Sequence, residues 1–295
     1  MPFLKVEAAP PPTSLKTAEE KGKAYLEKLG AHDLKSARAL SAEVLQKGAE
    51  DRFNSTGLVV DGEAVVADQD GLLRDRKYND IPILVGTNSI DGSGIASAVL
   101  KSDKSITGPT FEQMARLILT MTGAAGLAEP VLRTYPHTTE AEATKAAKDL
   151  CSDLMFAWSA WAWADLQSKS TNNKSFIYYF DHRTPSSPEG ANHGAEILYV
   201  FGNLNIIDAL PGLGELRGIV NRPEDKALSE LMTSYWVNFA KKGNPNGPGL
   251  PVWPAFDGKQ QKTMVFDKTP GARPYPNLER MKVFATYYSE KKTKQ

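Results

Sequence analysis

Two residues of this chain lie in surroundings that suit proton transfer. Asp91 is in the segment Gly86–Ser93, directly after a short apolar run, and His193 lies between Gly190 and Gly194. A histidine in a glycine-flanked loop can present its ring to a cleft, and an ordinary pKa of about 6.5 suits a general base. Each residue could also have a purely structural role, because Asp before Gly commonly forms a turn and loop histidines are commonly structural.

The other histidines are weaker candidates. None of His32, His137 and His182 has a second histidine or a cysteine at metal-ligand spacing, so we expect no metal site and no cofactor. His182 is the only rival base. It lies between Asp181 and Arg183, where a structural hydrogen bond is at least as good an explanation as catalysis.

Trp158 is a candidate for a substrate pocket. It is one of three tryptophans, with Trp161 and Trp163, on a stretch with helical character. Aromatic residues at such positions line an acyl pocket in some proteins, but they more often pack into a core. Both interpretations stay open at this point.

Three short apolar runs are typical of buried strands, and they indicate where the candidate residues lie. The runs are Ile81–Val85, Phe176–Phe180 and Thr263–Phe266. Catalytic groups in parallel α/β sheets collect beyond the carboxyl ends of strands. Asp91 follows the first run and His193 follows the second, so both are expected at the same edge of a sheet.

Helical patterns alternate with these strands. Helices are predicted over Thr17–Gly30, Leu34–Gln46, Phe111–Met121 and Thr139–Leu166, and from Pro223 to Phe239. The alternation predicts an α/β fold with a mostly parallel sheet flanked by helices. We expect an irregular Pro-rich lead over residues 1–13 and a single domain over residues 14–295.

The composition excludes several classes of protein. Of 295 residues, 41% are hydrophobic and 24% charged, and 35 Lys plus Arg balance 35 Asp plus Glu. This is ordinary for a globular protein and offers no basic field for nucleic acid. Cys151 is the only cysteine, so no intrachain disulfide forms.

The N-terminus has neither the apolar region of a signal peptide nor an apolar span of about 20 residues for a membrane helix. As written, the chain is therefore predicted to be cytoplasmic and to have no membrane partner. If Met1 is not the natural start, the location is unknown and a secreted protein is an alternative.

Several segments, in this order, resemble the type-B carboxylesterase family, which includes the cholinesterases. They are Ile81–Asn88 with Asp91–Ser93, Asn192–Gly202, and Tyr235–Ala240 with Gly243–Asn246. The resemblance runs from about Thr13 to about Phe266. It implies the C-terminal portion of an α/β-hydrolase fold and an activity on small carboxylic esters.

The resemblance also implies roles for the candidate residues. Asp91 would orient His193, and His193 would take the proton from a serine that attacks an ester carbonyl. Ser93, Glu196 and Trp158 are candidates for supporting this pair or lining the pocket. Family members usually have Glu at the acid position, so Asp91 shortens the reach by one methylene.

The nucleophile is the largest departure from the family pattern. The sequence contains no Gly-x-Ser-x-Gly and no Gly-Gly-Gly segment, so we identify no nucleophilic serine and no oxyanion hole. One hypothesis is that a missing N-terminal half, as an upstream segment or a partner chain, completes a serine esterase. The alternatives are a non-catalytic cholinesterase-like binding module and an inactive truncated fragment.

Overall fold

The structure is a computed structural model that describes residues 13–49, 58–67, 72, 75–100, 107–121, 123–170, 172–205 and 222–293. The chain divides into two compact units, Leu4–Tyr78 and Asn79–Gln295. Residues 1–12 of the predicted Pro-rich lead lie outside the described residues. The single domain over residues 14–295 stays a prediction.

The described residues of the smaller unit form two very short strands and three helices. In chain order the elements are β1 (Thr13–Ser14), α1 (Leu15–Lys28), α2 (Leu34–Arg38), α3 (Ala42–Ala49) and β2 (Val59–Val60), and β1 runs parallel to β2. Ser14 caps α1 by accepting a hydrogen bond from the Thr17 amide at 3.2 Å. The helix therefore begins before Thr17, and the single helix predicted over Leu34–Gln46 is two helices.

In the larger unit, the residues that the structure describes form a sheet of four strands. They are β3 (Ile83–Asn88), β4 (Ser175–Phe180), β5 (Lys262–Phe266) and β6 (Gly271–Pro274), in the order β3-β4-β5-β6. The first three strands are parallel and β6 is antiparallel to β5. Asn88 pairs with Phe180, so β3 and β4 end side by side and the loops that follow them start together.

Helices and a π turn make up much of the rest of this unit's described ranges. They are α4 (Ser93–Leu100), α5 (Gly108–Met121), α6 (Ala128–Thr134), α7 (Glu140–Ser152), the π turn (Asp153–Ala157), α8 (Trp158–Ser170), α9 (Ala195–Val200), α10 (Pro223–Lys242) and α11 (Leu278–Thr293). A 3₁₀ turn over Ala125–Leu127 leads into α6. None of the helices in the described ranges is long and apolar enough to cross a membrane.

The helix predicted from Thr139 to Leu166 is interrupted. Thr139 and Glu142 form the expected capping box, with the Glu142 amide 3.2 Å from Thr139 Oγ1. The π turn then separates α7 from α8. One extra residue in a turn rotates the side chains that follow it, so α8 presents a different face from a continuous helix.

Side chains of β4 alternate between helices on the two faces of the sheet. Phe176 lies in the apolar cluster that contains Met232 and Tyr235 of α10. Ser175, on the other face, donates to the Ala164 carbonyl of α8 at 3.1 Å. Because successive strand residues point to opposite faces, the sheet is covered by helices on both sides. The predicted mostly parallel sheet flanked by helices is confirmed.

Candidate active site

Asp91 and His193 form a hydrogen-bonded pair just beyond the ends of β3 and β4. The distance between His193 Nδ1 and Asp91 Oδ1 is 2.9 Å. An ionised carboxylate only accepts hydrogen bonds, so Nδ1 carries the proton and donates it. The Asp91 side chain is 6% exposed, whereas the His193 side chain is 69% exposed. The acid is buried behind the ring, and the far side of the ring faces open space.

Asp91 is fixed by residues at the end of β3. Its Oδ2 accepts from Thr87 Oγ1 at 2.6 Å and from the Asn88 amide at 2.7 Å. Its Oδ1 bonds His193. One carboxylate oxygen therefore anchors the acid to its own strand and the other holds the imidazole.

The loops that carry the acid and the base are tied to each other. The Ala191 amide donates to Ser89 Oγ at 2.8 Å, and the Ile90 amide donates to the Ala191 carbonyl at 3.1 Å. A Cβ on Gly190 would lie 2.5 Å from Ser89 Oγ, so a larger residue there would have to displace the Ser89 side chain. With the loops this close, the shorter aspartate still reaches the ring.

Ser93 and Glu196, both predicted to support the pair, lie in the same cluster. Ser93 Oγ bonds Asn192 Oδ1 at 3.2 Å. The Glu196 carboxylate accepts a hydrogen bond from the Asn88 amide group. Burial raises the pKa of Glu196, and the hydrogen bond from Asn88 opposes that rise. A second carboxyl group therefore lies close behind the histidine loop.

Trp158 does not join this cluster. It is fully buried, and its ring packs against Trp161, Phe284 and Tyr288 with centroids 5.4 to 5.8 Å away. The aromatic side chain beside the base is Phe156, whose ring centroid is 4.8 Å from that of His193. The structure therefore places Trp158 in the core between α8 and α11, and Phe156 of the π turn at the site.

Sequence reasoning missed four residues that shape the site: Thr87, Asn88, Ser89 and Phe156. The first three end β3 or follow it, directly before Asp91, and each forms a hydrogen bond described above. Polar residues between an apolar strand and a candidate acid were a usable signal. Phe156 had no such signal, because its position depends on the π turn.

His182, the rival base, forms a separate and closed pair. Its Nε2 lies 2.6 Å from Asp225 Oδ1, and its side chain is 6% exposed. Asp225 also accepts from Tyr199 at 3.1 Å and from Arg222 at 2.7 Å. Buried and saturated with partners, this aspartate holds β4, α9 and α10 together, which is the structural role that the sequence left open.

Other chemistries find less support in the described residues. The described residues include no group of three or more His, Cys, Asp or Glu side chains able to hold a metal ion. Burial raises the pKa of the Cys151 thiol to about 12, so it is not a thiolate nucleophile. Ser89 and Ser93 lie close to the pair, but each hydroxyl is engaged in a hydrogen bond between the two loops.

Comparisons with known proteins show which family the chain resembles. A profile of the carboxylesterase family matches residues 16–284. The chain is 28% identical to carboxylesterase 1C of Rattus norvegicus over 74% of this chain and 40% of the relative. It is 29% identical to the medium-chain fatty acyl-CoA hydrolase precursor of Anas platyrhynchos over 76% of this chain and 42% of the relative. It is 30% identical to human (Homo sapiens) bile salt-activated lipase over 64% of this chain and 25% of the relative.

A solved structure is also similar. A structure named PNB esterase superposes with a TM-score of 0.64 at 23% identity, over 92% of this chain and 55% of that one. Its fold is the α/β-hydrolase fold, which this chain shares. The chain spans about two fifths of the length of the curated carboxylesterases it matches. Together the profile, the relatives and the fold show that the chain belongs to the carboxylesterase family.

Proposed function

We propose that this chain supplies the acid and the base of a serine-type carboxylic ester hydrolase. His193 is the general base and Asp91 orients it. The observation that carries the proposal is the 2.9 Å hydrogen bond between a buried carboxylate and a ring whose other side is open. Among the described residues, none forms a hydrogen bond with His193 Nε2, so that nitrogen is available to a reacting group.

The proposed mechanism follows from this arrangement. His193 Nε2 takes the proton of a serine hydroxyl while the serine oxygen bonds to the ester carbonyl carbon. The resulting imidazolium is stabilised by Asp91 and gives its proton to the alcohol that leaves, and water then hydrolyses the acyl-serine by the same steps. Because the 295 residues contain no Gly-x-Ser-x-Gly motif, we assign the serine to a nucleophile-bearing segment outside this sequence.

Uncharged carboxylic esters are the proposed substrates. The Phe156 ring packs beside His193 at a tilt of 39° and gives the site an apolar wall. Gly94 and Ile95 follow the acid loop where cholinesterases carry aromatic residues, which disfavours choline esters. Bile salt-activated lipase, one of the relatives described above, is named for lipid substrates.

Complementation tests this proposal. The chain is co-expressed with the N-terminal, nucleophile-bearing half of a carboxylesterase, and turnover of p-nitrophenyl butyrate is measured. We expect His193→Ala to lower kcat by about 10³-fold or more, as loss of a triad base does. His32→Ala, which removes an exposed histidine from the smaller unit, is the matched control and should leave kcat unchanged.

Turnover that survives His193→Ala unchanged would contradict the catalytic role. Retention of a ligand by the same complex, without turnover, would favour the non-catalytic binding module instead. His193→Ala should leave the fold intact in either case, since the His193 side chain is largely exposed and contributes little to the core.

A further inference from the structure

Asn88, the last residue of β3, contacts both loops of the proposed acid–base pair. Its backbone amide donates to Asp91 Oδ2 at 2.7 Å. Its side-chain amide Nδ2 donates to the Asn192 carbonyl at 2.8 Å and to the Glu196 carboxylate. Asn192 directly precedes His193 in the chain. One residue that is 2% exposed therefore joins the acid, the residue before the base and the first turn of α9.

We infer that Asn88 is a positioning residue that fixes the His193 loop against the Asp91 loop, so that the ring keeps its bond to the acid. This inference rests on the proposed function for its catalytic meaning. The positioning itself is a property of the folded chain and does not require turnover.

The hydrogen-bonding chemistry of this site favours asparagine. The Nδ2 group has two hydrogens, and the two acceptors on the histidine side use both. Turning the amide over would place its oxygen against a carbonyl and a carboxylate, which are acceptors only. Aspartate has nearly the same shape but would add a third carboxylate beside Asp91 and Glu196, with no hydrogen to donate.

The arrangement also has an unfavourable feature. Asn88 Oδ1 is buried and has no hydrogen-bond partner in the part of the chain that the structure describes. A buried unpaired carbonyl oxygen is unfavourable, and an apolar residue of the same size would avoid it. The two donated bonds are what an apolar residue could not provide.

The loop that carries His193 needs contacts that hold it against the loop of Asp91. Gly194 follows the base with a φ of +76°, and Gly190 lies before it. Ser89 and Ile90 hold the loop at Ala191, on the N-terminal side of the base. Asn88 adds attachments at Asn192 and Glu196. Ser93 also bonds Asn192, through Oδ1, so loss of the Asn88 side chain removes part of the support for the alignment of the ring.

The tautomer of the His193 ring tests this inference in the full chain. The protein is labelled with ¹⁵N-histidine, and two-bond ¹⁵N–¹H correlations are recorded at mildly alkaline pH, where histidine rings are neutral. The bond to Asp91 favours the Nδ1–H tautomer of the wild-type ring. We expect Asn88→Ala to lower the ratio of Nδ1–H to Nε2–H by about tenfold, the effect of losing a hydrogen bond to a charged group.

Asn173→Ala is the matched control. Asn173 also donates through Nδ2 to a backbone carbonyl, that of Asp80 at 2.8 Å, but it precedes β4 at the opposite end of the sheet. Its loss should leave the His193 tautomer ratio unchanged. Asn88→Ser, which keeps a smaller polar group in the same place, is the second variant in case Asn88→Ala does not fold.

Each outcome decides the inference. A tenfold change in Asn88→Ala or Asn88→Ser, with none in Asn173→Ala, supports it. A wild-type ratio in folded Asn88→Ala, or in Asn88→Ser where Asn88→Ala does not fold, overturns it. So does failure of both Asn88 variants to fold while Asn173→Ala folds, since Asn88 would then be a stability residue. The ratio is read without ester turnover, so a failed complementation experiment leaves this result unaffected.

Discussion

Asp91 uses its two carboxylate oxygens for different contacts. Oδ2 receives two hydrogen bonds from Thr87 and Asn88, and Oδ1 faces the ring of His193. A carboxylate held from behind in this way cannot rotate away from the imidazole without losing both anchors. The hydrogen bond from the Thr87 hydroxyl, at 2.6 Å, is the shorter of the two bonds to Oδ2.

Thr87→Val should therefore destabilise the chain more than loss of an ordinary hydrogen bond. The substitution keeps the shape and removes the donor to a charged acceptor, and we expect a loss of about 1.5–3 kcal/mol in the free energy of unfolding. Urea denaturation at pH 7 measures this loss.

Thr263→Val provides the comparison. Thr263 is also buried in the sheet, and its hydroxyl donates to a neutral acceptor, the Ile177 carbonyl, at 2.9 Å. Its loss should cost only about 1 kcal/mol. Equal losses for the two variants would mean that Thr87 does not anchor a carboxylate.

The sequence predicted that Asp91 and His193 lie at the same edge of the sheet, because strand ends and local motifs consist of consecutive residues. The same motifs contain Ser93 and Glu196, which the structure places beside the pair. Phe156 could not be predicted in this way. Its contact with the base depends on a turn whose hydrogen bonding differs from an α-helix, and no residue type specifies that turn.

The loop of the acid also contacts the helix behind it, at a point without room for a side chain. A Cβ on Gly92 would lie 2.4 Å from the Cys151 carbonyl carbon and 2.4 Å from the Ser152 amide nitrogen. The Gly92 amide donates to Ser152 Oγ at 2.9 Å. This approach of backbone to backbone sets the distance between the acid loop and α7.

Gly92→Ala should push the acid loop away from α7. Backbone atoms cannot give way as a flexible side chain can, so we expect a loss of about 1–3 kcal/mol of stability and a lower thermal midpoint. Gly94→Ala is the matched control, because a Cβ there meets nothing within 4 Å. It should be neutral or slightly stabilising in α4. Similar midpoints for the two variants would contradict the close approach.

Element prediction succeeded where local patterns are strong. The strands at Phe176–Phe180 and Thr263–Phe266 and the helix from Pro223 agree with β4, β5 and α10. β6 and α11 were missed. Met281, Phe284 and Tyr288 follow helical spacing and are buried, so α11 had a usable signal. The sequence of β6 contained little signal for a strand, since its residues alternate only between half-buried and exposed.

The molecule also contains a buried ionic cluster that is separate from the acid–base pair. Asp153 of the π turn accepts from the Tyr135 hydroxyl at 2.8 Å and lies 2.7 Å from Arg280 Nε of α11. Asn277 donates to its other oxygen at 3.1 Å. Burial raises the pKa of Asp153 to about 6, although Arg280 opposes the rise. The π turn is thus anchored to α6 and α11 by a carboxyl group that is costly to ionise.

This cluster predicts an unusual dependence of stability on pH. The native Asp153 keeps its proton to a higher pH than an unfolded aspartate, whose pKa is about 3.9. The native state therefore binds more protons between about pH 4 and pH 6, and the contribution of Asp153 to stability falls as the pH rises through that window. The whole effect is at most about 3 kcal/mol.

Asp153→Asn should remove this component. Urea denaturation from pH 4 to pH 7 should show the wild type losing stability relative to the variant as the pH rises. Asp267→Asn is the control. Burial tends to raise the pKa of Asp267, but the hydrogen bonds and charge of Arg273 together with the hydrogen bond from the Thr269 amide lower it overall. Its contribution is lost only in more acidic solution, so it should leave the slope between pH 4 and pH 6 unchanged.

The register between β3 and β4 has a consequence for how the chain folds. Asp91 and His193 are 102 residues apart in sequence, and they meet because Asn88 pairs with Phe180. Closing so large a loop is entropically costly, and contacts of high sequence separation slow folding. A slip of one residue would turn each side chain of β4 to the wrong face of the sheet. The hydrogen bond between Asp91 and His193 therefore forms only after β3 and β4 have paired in the native register. Its presence marks that register.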